Sequence, residues 1–577
     1  MQKLWLLQSC DEDIARHLEG QVGVSPILAR LLAQRNIRDA EAAERFLQPS
    51  LAHLPEPELL FGMDKAIARL LRALRDKEKI VIYGDYDVDG TTATALLTEF
   101  FQDLGAEVDY YIPHRLSEGY SLNADALKKI RERGAKVVIT VDNGISAVAE
   151  AAVARDLGLD LIVTDHHEVP PRLPEAFAIL NPKQAGDAFP GKELAGVGVA
   201  FYLLIALRKA LREAGMLGDR EPNLRRALDL VAVGTIADMA PLTGVNRILV
   251  REGLKVLSRT ARPGLKALKE VSGVDGEVGA DQVGFRLGPR INAVGRLDDA
   301  AFGVKLLLSR SEAEALELAR RLDRANAERQ DLEDEIAREA CARVEAERLF
   351  ERRRSLVLFH EDWHPGVVGI VASRLVERYY LPSIVLSRDK DGLKGSARSI
   401  RNLNLVETLR DCGEHLSKFG GHYYAAGLSL ARERLEAFSA AFDAAVRARL
   451  RDEDFQPALK LDVDSRLAEI DSALLEEIRR LEPFGLGNPE PVLRLSGLRV
   501  RESRIVGEKH LRLRVGEGRV AFGAIGFRLA EKMPALDSEV DVACVPGWNE
   551  WNGTKNIQLR LLDLHPTESN ATRKKEY

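Results

Sequence analysis

The chain has 577 residues, 45% hydrophobic and 30% charged, with a formal net charge of −6. That length exceeds what one hydrophobic core serves, so three or more domains are expected, in a composition typical of globular and not disordered chains. The acidic balance excludes a uniformly basic surface, so a polyanionic partner requires a local basic track.

Residues 1–60 are mixed, with prolines at Pro49, Pro55 and Pro57, and read as an N-terminal appendage and linker. From Lys79 the pattern becomes regular. Short β-rich runs at Lys79–Tyr83, Val108–Ile112, Lys136–Val141 and Asp160–Thr164 alternate with helical stretches at Thr91–Leu104, Ala124–Arg133 and Ala147–Leu157. Such alternation predicts βαβ units around a buried parallel sheet. Helical segments at Val199–Ala214 and Leu224–Ala237 follow, and this first α/β domain is assigned to 61–300.

The stretch Ser311–Arg354 is rich in Glu, Ala, Arg and Leu and lacks Gly and Pro, which predicts a connecting helix within 301–354. At 1.5 Å per residue it would be on the order of 60 Å long, as a coiled-coil arm or, preferably, a spacer. A second α/β pattern occupies 355–457, with strands at Ser355–Phe359 and Ser383–Ser387 around a helix at Val367–Glu377. From 458 to 566 short β-like runs separated by glycines predict a small barrel of the OB type. Residues 567–577 read as a frayed tail. Cys10, Cys341, Cys412 and Cys544 stand far apart, and Met1–Cys10 lacks the regions of a secretion signal. Neither a disulfide framework nor a membrane segment is expected, and the chain is placed in the cytoplasm.

The strongest chemical signal is Gly84-Asp85-Tyr86-Asp87-Val88-Asp89-Gly90, where the first strand ends. Carboxylates so close repel one another unless a multivalent cation sits among them. An EF-hand loop shares the D-x-D-x-D-G start, but its twelfth position would be Leu96 and a strand precedes the motif. Two more clusters follow strands, Asp142-Asn143-Gly144 and Asp165-His166-His167. Ligands of open parallel sheets gather at the carboxyl ends of the strands, so these groups should converge. Asp238 ends an apolar helix, where a carboxylate opposes the helix dipole unless a cation balances it. Many carboxylates with one or two imidazoles favour Mg²⁺ or Mn²⁺ over Zn²⁺, and their number favours two ions.

The motif order D-x-D-x-D-G, D-N-G, D-H-H and G-x-x-A-D-M resembles the DHH phosphoesterase superfamily. Lys394–Ser399 and Gly420–Gly427 resemble its DHHA1 partner domain, and Gly288–Arg296, Trp363–Gly366 and Pro483–Pro489 are similar to segments typical of the RecJ exonucleases. The resemblance spans about residues 60–565. It implies two α/β domains, DHH with a parallel sheet and DHHA1, joined by the long helix and followed by an OB-like barrel. It also implies that Asp87, Asp89, Asp142, His166 and Asp238 are metal ligands, with Asp85 and His167 beside them as catalytic residues. His422, in a glycine-rich turn, is a further catalytic candidate, with a structural histidine as the alternative. Digestion of single-stranded DNA from 5′ to 3′ in recombination and repair is implied too. Single-strand-binding protein and a helicase would be its partners.

Substrate contacts have support from the residues themselves. Ser396 and Arg398 share one face of a strand at i, i+2, and a hydroxyl beside a guanidinium suits a phosphate. Arg290 and Arg296, near glycines, and Arg115 are further candidates, each with a solvated surface charge as the alternative. In the barrel, arginines and Lys509 interleave with Phe522, Phe527, Trp548 and Trp551 as in single-strand platforms, although about half of these aromatics are expected to be core. A DHH enzyme acting on a small substrate would not need such a barrel. A non-catalytic DHH scaffold should have lost some of the acidic ligands.

Overall fold

The structure is a computed structural model that describes residues 2–114, 118, 121–217, 221–297, 299–390, 392–551 and 553–567. It divides into two compact units. The larger comprises Trp5–Gly288, Val304–Ala315 and Leu459–Tyr577; the smaller comprises Met1–Leu4, Pro289–Gly303 and Leu316–Ala458.

In the larger unit, β1 (Ile80–Tyr83), β2 (Val108–Tyr111), β3 (Val137–Val141), β4 (Asp160–Thr164) and β5 (Ala178–Leu180) form a parallel sheet in the order β2-β1-β3-β4-β5. Strand β1, Ile-Val-Ile-Tyr, is buried throughout, as a central strand covered on both faces must be. The chain leaves β1 for β2 on one side and later returns to β3 on the other. The crevice between the ends of β1 and β3 is therefore the switch point at which open α/β sheets bind ligands. Helices α1 (Val88–Asp103), α2 (Gly196–Glu213) and α3 (Leu228–Ala237) are buried along most of their lengths. The sequence reading omitted the helices Met63–Arg75, Gly244–Ser258 and Pro263–Val271.

The smaller unit contains the long helix α4 (Glu312–Ala346) from Leu316 onward and the helix α5 (Val368–Tyr379). Its strands are β6 (Leu356–Phe359), β7 (Ser383–Asp389), β8 (Gly392–Arg398), β9 (Lys418–Gly421) and β10 (Ala425–Leu430), ordered β9-β10-β8-β7-β6. Only β6 and β7 are parallel. Ile336, Ala340 and Val344 recur every fourth residue of α4 and pack with Leu356, Leu358, Trp363, Val371 and Leu375. This stripe gives the otherwise polar helix a side to bury.

Back in the larger unit, β11 (Val463–Ser465) flanks a barrel of β12 (Leu493–Val506), β13 (His510–Glu517), β14 (Val520–Gly526), β15 (Glu539–Trp551) and β16 (Thr554–Pro566). Pairing of β12 with β15 closes it. Bulges at Leu495/Leu498 and Val500/Glu502 bend the long strand β12 around the barrel. Residues from Ala15 to Leu47 share one apolar core with residues from Val463 to Leu564, so the N-terminal helices pack as part of the barrel module.

Arg247, on the helix Gly244–Ser258, links that module to the rest of the larger unit. It is 2% exposed, and its guanidinium donates to the carbonyls of Phe46 (3.0 Å), Leu481 (2.8 Å) and Arg480 (3.1 Å) while lying over the Phe46 ring. Burial, with Arg251 and Arg35 nearby, pushes its pKa down to about 9. The acceptors lie at the ends of helices Ala40–Leu47 and Ser472–Arg479, where the macrodipole carries partial negative charge. Arg247→Met orphans these carbonyls, a loss of about 3 kcal/mol. The variant is expected to melt at a lower temperature and to be cleaved by protease near residues 46–49; an unchanged melt and digestion pattern would refute this role.

Candidate metal centre

Each acidic group is delivered by a strand or helix end. Asp85 stands two residues past the end of β1, after Gly84, and Asp87 caps α1 by accepting from the Gly90 amide at 3.0 Å. Asp89 lies in the first turn of α1, Asp142 follows β3, and Asp165, His166 and His167 follow β4. Asp238 is the C-terminal cap of α3. Single ligand atoms of Asp85, Asp87 and Asp142 lie within 4.8 Å of one another, as do those of Asp89, His166 and Asp238, and those of Asp142, His166 and His167.

Tight backbone packing makes this convergence possible. A Cβ on Gly196 would stand 2.9 Å from the Asp142 Cβ and 3.0 Å from an Asp89 oxygen. Without it, α2 aims its first amides at the site: Gly196 N and Val197 N each donate to Asp89 at 2.7 Å. The positive end of α2 thus offsets part of the Asp89 charge. Asp142 sits in left-handed backbone, φ 62°. Beside it, Asn143 donates to the carbonyls of Tyr83 (3.3 Å) and Val141 (2.9 Å) and ties the ends of β1 and β3 together.

The electrostatics are those of too many buried acids. Burial, then Asp87, raises the Asp89 pKa to about 7; burial, then Asp89 and Asp87, raises Asp238 to about 9. Asp142 is pushed well above its usual range by burial and by Asp87, Asp89, Asp85 and Asp238. Burial, then His167, lowers His166 to about 4, so its imidazole is neutral near pH 7 and its lone pair can serve a metal. Asp165 behaves differently. Burial opposes its charge, yet its oxygens accept from His167 Nδ1 at 2.7 Å and from the amides of Ile145 (2.9 Å), His166 (2.7 Å) and His167 (3.1 Å), which together hold it ionised. Asp165 therefore orients His167. Sequence inspection placed it in the cluster but gave it no such task.

The buried Asp142 Oδ1 and His166 Nε2 lie 3.1 Å apart, yet neither makes a hydrogen bond among the described residues. Buried polar atoms left this way are costly unless something else satisfies them. Oxygen-rich donors with one or two imidazoles fit a hard divalent cation, so this donor set suits Mg²⁺ or Mn²⁺.

A separate cluster lies in the smaller unit. A Cβ on Gly369, in the first turn of α5, would meet Arg398 Nη2 and Ser396 Oγ, each at 3.1 Å. A guanidinium and a hydroxyl thus sit at a helix N-terminus, the arrangement that binds phosphates. Burial lowers the Arg398 pKa, and its guanidinium donates to the Ala397 carbonyl at 2.9 Å. Arg296 donates to the Gly366 carbonyl at 3.0 Å and so braces the loop that leads into α5. Arg290 is paired with Asp323 at 2.8 Å, and His422 is exposed at the turn between β9 and β10. Arg115 lies outside the described residues. In the barrel, Phe522 and Trp548 pack against the core while Phe527 is exposed; the Trp551 side chain is outside the described set.

The chain matches three known domain families. Residues 79–235 match the DHH family, N-terminal domain; residues 353–448 match the DHHA1 domain; residues 461–563 match the RecJ OB domain. The single-stranded-DNA-specific exonuclease RecJ of Bacillus subtilis is 41% identical over 98% of this chain and 71% of its own length. That of Escherichia coli is 39% identical over 94% of this chain and 96% of its own length. A crystal structure of RecJ from Thermus thermophilus in complex with Mn²⁺ superimposes with a TM-score of 0.84 at 34% identity, over 98% of this chain and 80% of that one. A complex of the same protein with Mg²⁺ gives 0.77 at 32% identity, over 98% and 79%. With its three modules in this order, the chain belongs to the RecJ family of DHH phosphoesterases.

Proposed function

We propose that this chain is a single-stranded-DNA-specific exonuclease that removes nucleotides from the 5′ end by two-metal phosphodiester hydrolysis, in DNA recombination and repair. The observation that carries this reading is the pair of ligand sets, Asp85/Asp87/Asp142 and Asp89/His166/Asp238, at the switch point of the sheet. Mn²⁺ or Mg²⁺ bound there would lower the pKa of the attacking water and stabilise charge on the phosphoryl oxygens. Asp165 holds His167 by Nδ1, which leaves Nε2 as the nitrogen to move a proton at the leaving oxygen. His422 is a second acid–base candidate, in the glycine-rich turn of the smaller unit.

Recognition of an end requires a pocket for a terminal phosphate, which carries more charge than an internal diester. Arg398 and Ser396 at the start of α5, with Arg296 bracing the loop before it, are the residues that favour this role. On the barrel, Arg504 pairs across the sheet with Arg512, and Arg514 lies opposite Glu502; the three arginines are exposed and form the local basic track. A requirement for free single strands makes a helicase and a single-strand-binding protein natural partners. Among the described residues no helix is long and apolar enough to cross a membrane, and the four cysteines are free, in keeping with a cytoplasmic setting.

Metal dependence is tested with two variants. Mn²⁺ at a hundred times its Kd should stabilise the parent protein by about 2.7 kcal/mol. His166→Ala is expected to abolish digestion and this stabilisation while the metal-free melt stays near normal. Asp89→Ala should abolish both as well, and should also lower the metal-free stability by about 1–2 kcal/mol because two α2 amides lose their acceptor. Near-normal turnover by either variant would overturn the metal assignment.

End recognition and the barrel track have their own measurements. Arg398→Ala should lose roughly ten- to a hundred-fold in kcat/KM on 5′-phosphorylated strands, and visibly less on strands with a 5′-hydroxyl. Equal losses would move Arg398 to an internal phosphate. The double variant Arg504→Ala with Arg512→Ala should weaken binding of long strands and lower the slope of log K against log salt by about 1.4, two contacts at ~0.7 each; an unchanged slope would remove the barrel from the binding surface.

A further inference from the structure

Three large apolar side chains in the larger unit stand in solvent on segments that meet at the end of α3, the helix that Asp238 caps. Phe285 is 83% exposed, Met239 68% and Leu486 56%. They come from distant parts of the sequence but gather about the end of α3. Met239 follows Asp238 directly. Phe285 lies in the turn Val283–Leu287, which runs beside the end of α3: a Cβ on Gly284 would be 3.8 Å from Ile236 Cγ2, and one on Gly288 3.3 Å from Ala237 Cβ. Leu486 is held there by its carbonyl, which accepts from the Leu242 amide at 2.7 Å.

Met239 and Leu486 are presented by fixed backbone. Met239 is in left-handed conformation, φ 61°, which an unbranched residue other than glycine adopts only when its surroundings enforce it. The loop carrying Leu486 is pinned by reciprocal bonds between Gly485 and Asn488 and by the buried Asn488 amide, which donates to the carbonyls of Leu481 (2.7 Å) and Pro483 (2.8 Å). Exposure of the ligands locates the opening of the site. Side-chain exposure rises from 0% at Asp89 and 2% at Asp142 to 14% at His166, 21% at Asp238 and 37% at His167. The open side therefore includes Asp238, and Met239 is next to it.

We propose that Met239, Phe285 and Leu486 form an apolar lip that grips the nucleobases beside the scissile phosphate. This deepens the reading of the chain as a single-strand exonuclease and rests on it. Carboxylates and cations handle the backbone but have no affinity for base faces. An enzyme that must accept every sequence needs contacts common to all four bases, and only their flat faces are common. An aromatic ring supplies stacking, and a thioether packs favourably on aromatic rings, without reading hydrogen-bonding edges. Continuity of the lip with the metal ligands selects a base as its occupant.

The test compares parent, Phe285→Ala, Met239→Ala and Phe285→Trp on a 5′-phosphorylated strand and on the same strand with abasic positions flanking the first scissile phosphate. On the intact strand, Phe285→Ala should raise KM roughly ten-fold with kcat nearly unchanged, Met239→Ala should act in the same direction, and Phe285→Trp should restore parent behaviour. On the abasic strand the parent and Phe285→Ala should coincide. Equal behaviour on the intact strand, or an equal fold-loss on both strands, would overturn the proposal. The comparison is repeated as equilibrium binding with a chelator present. A parent that binds but does not digest when Mn²⁺ is supplied in place of the chelator would overturn the hydrolase reading and leave the lip to be judged on binding; a parent that does neither would overturn both.

Discussion

Five buried or half-buried carboxylates face one another across the crevice between β1 and β3, and their mutual repulsion is the constraint around which the larger unit is arranged. Asp85, Asp87, Asp89, Asp142 and Asp238 come from three backbone segments, and the protein supplies them with little positive charge of its own. Compensation among the described residues is weak: the amides that start α2 at Asp89, the Gly90 amide at Asp87, Lys183 acting on Asp238, and the imidazole pair beside Asp142. Much of the local architecture follows. Gly196 lets α2 come close enough to offer its amides, and Asn143 holds together the two strand ends that carry most of the acids. Such a centre fits a cation that enters a prepared cavity better than one that organises a loose loop.

The two histidines show how one cluster divides its labour. His166 is buried and neutral, with Nε2 directed at Asp142, whereas His167 is tied to Asp165 and held more readily protonated despite its burial. Asp165 keeps its charge because four donors converge on it, while Asp142 and Asp238 lack such support and resist ionisation. Adjacent residues of the same type thus acquire opposite electrostatic characters from their burial, their hydrogen bonds and the charges beside them.

Much of this was legible in the sequence, for identifiable reasons. Strands with continuous β-branched runs announced the parallel sheet, and acidic motifs placed just after those runs had to lie on one edge of it. Asp238 stood out because a carboxylate at the end of an apolar helix needs a reason. Other features had no local signature. The bonds from Gly196 and Val197 to Asp89 join residues 107 and 108 positions apart, and neither motif hints at the other. The packing of Ala15–Leu47 into the barrel was equally hidden, since an amphipathic helix states that it must bury a face and not where. Nor did the reading separate Arg290, engaged by Asp323, from Arg398, whose guanidinium meets a hydroxyl and a helix start.

The shared core of the N-terminal helices and the barrel has a consequence for how the chain is made. The helices between Ala15 and Leu47 leave the ribosome early, but the apolar surfaces that bury them, from Val463 to Leu564, emerge last. At about 5–20 residues per second the wait is on the order of tens of seconds. Throughout that interval the sheet and its acidic crevice can assemble, while the amphipathic helices ahead of them remain exposed to solvent. The step that seats Arg247 between the two helix ends is therefore a late event of biosynthesis, and during the wait the nascent chain presents its greatest liability to aggregation and its clearest binding site for a chaperone.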